Sequence, residues 1–245
     1  MSKLNKGAIQ TWLPTIVGII IVLLIGGGIL AWQYWWASRE EVKVPEVKAP
    51  EGIVPEKVVE AIGPSAVWDS EKCWPECIVK WHECKNLDCI SGVMEQYGAS
   101  SDAKNFTKLL PERGFLMQFQ EMGKIDLGIV AFPDRANTNE EYYLLNGFPP
   151  LVGTGIKEEE FMDEIKQDLL YPEMKEKYPN IWFWGIAPQF VEKKALPNNN
   201  ERFIFTYRFV NGCRACNTEY SAKIGFDFDS DKKFLKIIFL QIVKE

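Results

Sequence analysis

Six cysteines are the residues of this sequence with the clearest chemical potential, and they form two groups. The first group has the spacing C-x3-C-x6-C-x4-C, and the second is a C-x2-C motif. The cysteines are Cys73, Cys77, Cys84, Cys89, Cys213 and Cys216. In a domain outside the cytoplasm such cysteines favour disulfide bonds, although sequence alone leaves the pairing open. One possible pairing of the first group is nested, and bonds between Cys73 and Cys89 and between Cys77 and Cys84 would staple a short helical hairpin.

Trp74 and Trp81 lie between the cysteines of the first group, and we expect both to form the apolar body of a short helical hairpin. Zinc is the alternative, because four thiolates, or three thiolates and His82, would complete a tetrahedral site. The spacing differs from that of paired C-x2-C zinc knuckles. Zinc becomes the better interpretation if the domain is cytoplasmic. We assign no metal and no cofactor.

Cys213 and Cys216 have the spacing of thiol-disulfide oxidoreductases. In those enzymes a helix N-terminus lowers the pKa of the first thiol. Here the motif joins two predicted strands, Gly212 indicates a tight turn, and Arg214 alone offers a positive charge. We expect a disulfide that closes the turn and keep a redox-active pair as the alternative. No other catalytic residue is assigned.

A polar loop and the strand that follows it provide a second candidate site. Arg135, Asn137 and Asn139 lie between two predicted strands, and Tyr142 belongs to the second of them. Amide-rich loops beside an aromatic ring could bind a ligand or a partner. The same residue types also serve as ordinary turn residues, so both interpretations stay open.

Composition excludes several classes of protein. The chain has 245 residues, of which 47% are hydrophobic and 25% charged, so it is neither collagenous nor disordered throughout. A net charge of −6 argues against nucleic-acid binding, which favours a basic surface. A single histidine argues against histidine-rich metal sites and against catalysis by histidine.

Residues 12–38 predict a transmembrane anchor, preceded by a short tail over residues 1–11. No charged residue lies between Lys6 and Arg39, and residues 13–36 are almost entirely apolar. A helix of that length extends about 36 Å, which is enough to cross a hydrocarbon core of about 30 Å. The apolar stretch is longer than that of a cleaved signal peptide, so we expect the anchor to be retained.

The residues that follow the anchor predict a spacer and then one domain outside the cytoplasm. Positive charges are nearly balanced across the anchor, so the cysteines and the length of the domain decide the orientation. Residues 39–64 are rich in proline, glutamate, lysine and valine and predict an extended spacer. A short helix over residues 57–62, packed on the domain, is the alternative.

Residues 65–245 predict an α+β domain, in which a helical cysteine-containing segment precedes antiparallel β-meanders with packed helices. Helical periodicity marks residues 89–97, 101–110 and 157–170, with a further turn at 173–177. Alternation and turn residues mark strands at 115–120, 125–132, 140–145, 181–184, 203–210, 219–228 and 234–243.

Two stretches of the domain carry a resemblance to known sequences. Residues 208–216 read RFVNGCRAC and precede GFDFD at 225–229, and RANTN ends the stretch 114–139. This pattern resembles a group of exported bacterial proteins of unknown function, in which a GC-x-AC turn precedes an FDFD strand. The resemblance covers residues 86–243 and implies a bacterial domain outside the cytoplasm, with no assigned activity. The first three cysteines lie outside the shared pattern.

Together these patterns predict a membrane-anchored extracytoplasmic domain with a binding or structural role in the cell envelope. The expected partners are the lipid bilayer, through residues 12–38, and an envelope protein or ligand, but not nucleic acid. One alternative is a thiol-disulfide exchange protein that uses Cys213 and Cys216. The other is a zinc-binding domain that faces the cytoplasm.

Overall fold

Residues 61–136 and 138–245 are described by a computed structural model of the chain. They belong to a single compact unit. The predicted tail, the predicted anchor over residues 12–38 and nearly all of the predicted spacer lie outside the described residues. No helix in the described ranges combines the length and the hydropathy that a bilayer-spanning segment needs.

Three short helices form the helical segment. They are α1 (Glu76–Glu83), α2 (Leu87–Gln96) and α3 (Ser101–Leu109). The side chain of Asn86 accepts a hydrogen bond from the amide of Cys89, and Ser100 accepts one from Ala103, each at 2.9 Å. Such caps satisfy amides that the first turn of a helix leaves unpaired. The two helices predicted in this segment are confirmed, and α1 lies in the cysteine-rich stretch before them.

The first sheet has four antiparallel strands. They are β1 (Phe115–Gln120), β2 (Asp126–Ala131), β3 (Glu140–Leu145) and β4 (Leu151–Gly153), and they pair in chain order. The three longer strands confirm the prediction, whereas β4 is too short to give a periodic signal. Phe115, Ala131 and Glu140 lie side by side across β1, β2 and β3. Side chains in such a row point to the same face of the sheet.

The second sheet has five strands. They are β5 (Ile181–Phe183), β6 (Gln189–Ala195), β7 (Glu201–Asn211), β8 (Asn217–Phe228) and β9 (Phe234–Lys244). β8 lies between β7 and β9, and both β5 and β6 pair with β7. Four of these strands confirm the prediction. The sequence does not predict β6, because its charged run Glu192–Lys194 and mostly exposed side chains hide the alternation.

Two further helices follow the first sheet in the chain, α4 (Met162–Gln167) and α5 (Tyr171–Lys177). The prediction of one continuous helix over residues 157–170 is wrong. Asp168 ends α4, because its carboxylate accepts hydrogen bonds from the amide of Leu170 at 2.9 Å and from the amide of Ile242 in β9 at 2.8 Å. A side chain that binds nearby backbone in this way competes with continuation of the helix.

Hydrophobic clusters join these layers. The largest lies between the two sheets, where Leu144 and Phe205 belong to the same cluster as Ile165 of α4. A second cluster joins the helical segment to the first sheet through Trp81 and Phe115. The first sheet is therefore packed against the second sheet in one region and against the helical segment in another.

The chain is already folded at Ile62, before the predicted domain boundary at residue 65. Ile62 is 7% exposed and belongs to a third cluster with Phe106. Asn146 accepts a hydrogen bond from the amide of Ile62 at 2.7 Å and donates to its carbonyl at 2.8 Å. The last residues of the predicted spacer therefore pack on the domain, and residues 61 and 62 are not helical.

Candidate binding groove

All six cysteines are bonded to their nearest cysteine in sequence. The Cα–Cα distances are 5.5 Å for Cys73–Cys77, 5.4 Å for Cys84–Cys89 and 5.1 Å for Cys213–Cys216. The sequence left the pairing open, and the nested arrangement of the first group does not occur. Cys77 and Cys84 lie at opposite ends of α1, about 10 Å apart along the helix axis, and a disulfide spans at most about 7 Å between Cα atoms.

The same pairing bears on the zinc alternative. The sulfur atoms that a zinc site would need as thiolates are bonded to one another. In addition, no group of three or more His, Cys, Asp or Glu side chains within the described ranges is placed to hold a metal ion. The prediction that the cysteines form disulfides is confirmed.

A groove of about 690 Å³ lies between the helical segment and the first sheet. One wall contains Trp74, Ile78 and His82. Ile78 and His82 are four residues apart on α1 and share a face of that helix, and Trp74 precedes it. The volume lies within the range of about 300–1,000 Å³ that is usual for ligand pockets.

The floor of the groove is part of the first sheet. Phe115 and Ala131 provide an apolar surface from β1 and β2, and Met117 extends it. Glu140 lies in the same row as Phe115 and Ala131, at the start of β3, and Asn139 precedes it in the chain. The groove therefore combines an apolar floor with polar groups from the loop between β2 and β3.

Trp74 is an exposed indole within a disulfide-closed ring. It follows Cys73, and the Cys73–Cys77 bond joins the 3-10 helix Ser70–Cys73 to α1. The side chain of Trp74 is 65% exposed. The expectation that it belongs to the apolar body of the segment is therefore wrong, because it lines the groove instead.

Trp81 forms part of the apolar body of the helical segment, as expected. It has no exposed surface, and its ring centroid lies 6.2 Å from that of Trp68 and 5.6 Å from that of Phe115. Phe115 thus packs against Trp81 while it also lines the groove. Phe115 therefore belongs both to the buried aromatic cluster and to the floor of the groove.

Polar contacts fix the position of His82. Its Nδ1 atom lies 2.9 Å from Oδ1 of Asp134, and Nε of Arg113 lies 3.1 Å from Oδ2 of the same carboxylate. Arg113 also donates from Nη2 at 2.8 Å to the carbonyl of Trp81 in the last turn of α1, which accepts from the amide of Cys84 as well. Asp134 is therefore balanced by Arg113 and ties the loop after β2 to α1.

The structure separates the four residues of the predicted loop site. Asn139 lines the groove. The ring of Tyr142 packs on Phe205, with centroids 5.7 Å apart, against the core between the sheets. Asn137 lies outside the described residues, and Arg135 is held in ion pairs. Of the three described residues, only Asn139 lines the groove, so a binding role for this loop stays a prediction.

Arg135 supports the loop instead of presenting a free charge. Its guanidinium donates to Glu112 at 3.1 and 3.2 Å and to Glu141 at 2.9 Å, and it lies 3.7 Å from the ring centroid of Phe132. The buried Glu141 carboxylate also accepts from the amide of Gly155 at 3.0 Å. Burial opposes the charge on Arg135, yet the hydrogen bonds to both glutamates leave its pKa above the ordinary value.

Cys213 and Cys216 lie at the exposed tip of the hairpin between β7 and β8. Hydrogen bonds also close this tip, since the amide of Cys216 donates to the carbonyl of Cys213 at 3.0 Å and Asn211 donates to that of Cys216 at 2.9 Å. The guanidinium of Arg214 lies 5.0 Å from the ring centroid of Trp184. The predicted turn-closing disulfide is confirmed, and the motif lies between strands instead of at the start of a helix.

The sequence does not indicate that Trp74, Ile78 and His82 form one wall. Their spacing of four residues is compatible with one face of a helix, but it does not show that this face lines a groove. Nothing in the sequence shows that Trp74 is exposed and Trp81 buried. The difference arises because α1 begins only at Glu76, so Trp74 does not continue the helical face that Trp81 occupies.

No protein-family model, no curated protein and no solved structure matches this chain. The resemblance to exported bacterial proteins therefore stays a prediction.

We expect Arg135→Ala to lower the free energy of unfolding by about 2–4 kcal/mol, because it leaves the buried Glu141 carboxylate without its cation. Urea denaturation followed by circular dichroism measures this loss. Glu112→Ala is the control and should cost less than about 1 kcal/mol, since Glu112 is 56% exposed. Equal losses for the two variants would contradict the structural role of Arg135.

We expect mild thiol reductant to open Cys213–Cys216 before the other two disulfides. Both cysteines of that pair are exposed, whereas Cys77 and Cys84 are buried. Reaction is limited by access to the sulfur atoms. Alkylation of the released thiols and peptide mass mapping give the order. Release of the thiols of Cys73 and Cys77 first, or loss of the near-ultraviolet dichroism on opening Cys213–Cys216, would contradict this expectation.

Proposed function

We propose that this chain is a membrane-anchored binding protein, whose domain outside the cytoplasm holds a ligand in the groove between α1 and the first sheet. The observation that carries the proposal is the placement of Trp74. An indole that is 65% exposed lies in a concave site, next to an apolar floor and beside polar side chains. Aromatic residues with this combination of neighbours are typical of binding sites.

The way in which the groove is built supports a binding role over a purely structural one. A single exposed hydrophobic residue on a convex surface needs no explanation. Trp74, in contrast, is held by the Cys73–Cys77 bond, and the far end of the same wall is fixed through Asp134 and His82. A site whose walls are fixed in advance loses less conformational entropy when a ligand binds.

The disulfides support the proposed compartment. Three disulfide bonds within one domain are typical of proteins that fold under oxidising conditions, outside the cytoplasm. The anchor over residues 12–38 and the orientation of the chain are argued from the sequence. In this proposal the spacer would keep the groove accessible to a ligand in the envelope.

A second function, thiol-disulfide exchange, is favoured by one observation. The Cys213–Cys216 bond is exposed and closes a turn that hydrogen bonds also hold, so its contribution to the fold is small for a disulfide. In this case Arg214, which follows Cys213 in the chain, would supply an activating positive charge. Binding is the better supported function, because the groove assembles several groups around one space.

We expect Trp74→Ala to weaken ligand binding at least about 10-fold, as is usual when a central aromatic contact is removed. Saturation-transfer NMR on the full chain in detergent micelles, with pools of short peptides and of soluble oligosaccharides, measures binding without a known ligand. Phe148→Ala is the matched control, since Phe148 is 69% exposed and lies outside the groove. The proposal fails if no pool gives a signal that depends on Trp74.

A further inference from the structure

Two carboxylates of the groove have no ionic partner within the described residues. Glu71 lies on the 3-10 helix that precedes Trp74, and Glu140 lies at the start of β3. Both side chains are exposed, and neither carboxylate makes a hydrogen bond or an ion pair in the described part of the chain. Asp134, the carboxylate beside His82 of the groove wall, is already balanced by Arg113.

The groove is therefore negative, and its charges come from both of its sides. Glu71 belongs to the helical segment and Glu140 to the first sheet, and no lysine or arginine occurs among the described residues that line the space between them. Unpaired carboxylates in a concave site concentrate cations and repel anions. Trp74 adds to this preference, because the face of an indole attracts an ammonium or a guanidinium group.

The remaining surface of the groove is apolar or able to form hydrogen bonds. Ile78, Phe115 and Met117 would cover an aliphatic stem. The hydroxyl of Ser70 and the side-chain amide of Asn139 make no hydrogen bond with other described residues, and they could pair with a peptide backbone. Lysine and arginine side chains combine an apolar stem with a cationic end, which suits the apolar surface and the two carboxylates of the groove.

We propose that the ligand is a basic peptide segment, whose lysine or arginine side chain enters the groove beside Trp74, between Glu71 and Glu140. This inference rests on the proposed function of the groove as a binding site. The complementary charge selects a basic peptide over an acidic one and over a neutral glycan. The partner would then be an envelope protein or peptide that presents a basic residue between neutral neighbours.

Three pools of blocked pentapeptides test this proposal on the full chain in detergent micelles. The pools are acetyl-X-X-Lys-X-X-amide, the same pool with norleucine in place of lysine, and the same pool with glutamate, where X is Ala, Val, Leu or Ser. Norleucine keeps the aliphatic stem and removes the charge. Retention on immobilised protein, measured by mass spectrometry at low salt, compares the pools.

We expect the lysine pool to be retained about 10-fold more than the norleucine pool, and the glutamate pool not to be retained. In the double variant Glu71→Gln/Glu140→Gln the preference for lysine should fall to about 2-fold, because the local charges are removed while the shapes of the side chains are kept. Trp74→Ala should reduce retention of the lysine and norleucine pools alike.

The matched control is the double variant Glu121→Gln/Glu176→Gln. These glutamates are exposed, make no ion pair with other described residues and lie outside the groove, so the variant changes the net charge by the same amount. Its preference for lysine should equal that of the unmodified protein. An equal loss in both double variants would assign the preference to the overall charge of the protein and overturn the proposed site.

The outcomes separate the ligand class from the proposed function. Equal retention of lysine and norleucine pools, lost in Trp74→Ala, would leave a binding groove but overturn its preference for cations. Retention of a neutral chito-oligosaccharide and of no peptide pool, again dependent on Trp74, would replace the basic peptide by a glycan. If Trp74→Ala leaves the retention of every probe unchanged, both this inference and the proposed function are overturned.

Discussion

The packing of Trp81 beneath α1 is the interaction on which the groove depends. Its ring is buried between Trp68 and Phe115, and these contacts hold α1 against β1. A helix of eight residues is unstable alone, because its own hydrogen bonds barely offset the entropy of nucleation. Removing a buried aromatic side chain of this size costs about 3–5 kcal/mol. The wall of the groove, including Ile78 and His82, therefore exists where it does because the sheet holds the helix there.

The two disulfides of the helical segment act at the ends of that wall. Cys73–Cys77 fixes the start of α1 and the exposed Trp74, and Cys84–Cys89 fixes the connection to α2. The second sheet contributes differently, since its broad aromatic core supports the first sheet from another region. The molecule thus combines two large sheets with a small disulfide-bonded helical segment, and the groove lies between that segment and the first sheet.

The long elements could be predicted from the sequence because their hydrophobic patterns are periodic. β7 and β8 alternate, β9 is a long run rich in apolar residues, and α2 and α3 have regular apolar faces and polar N-caps. Two incorrect predictions, the continuous helix over residues 157–170 and the missing strand β6, have local causes. Asp168 binds backbone amides and ends a helix that periodicity alone extends, and the charged edge strand β6 hides its alternation. The groove could not be predicted, because it requires knowing that α1 lies beside the row formed by Phe115, Ala131 and Glu140.

Amide hydrogen exchange of α1 in a Trp81→Leu variant tests the central claim most directly. We expect the amides of α1 to lose most of their protection in this variant, while the amides of β7 and β8 keep theirs. In Trp74→Ala, by contrast, α1 should stay protected, because Trp74 is exposed and does not hold the helix. Unchanged protection of α1 in Trp81→Leu would contradict the claim that the buried aromatic cluster holds the wall of the groove in place.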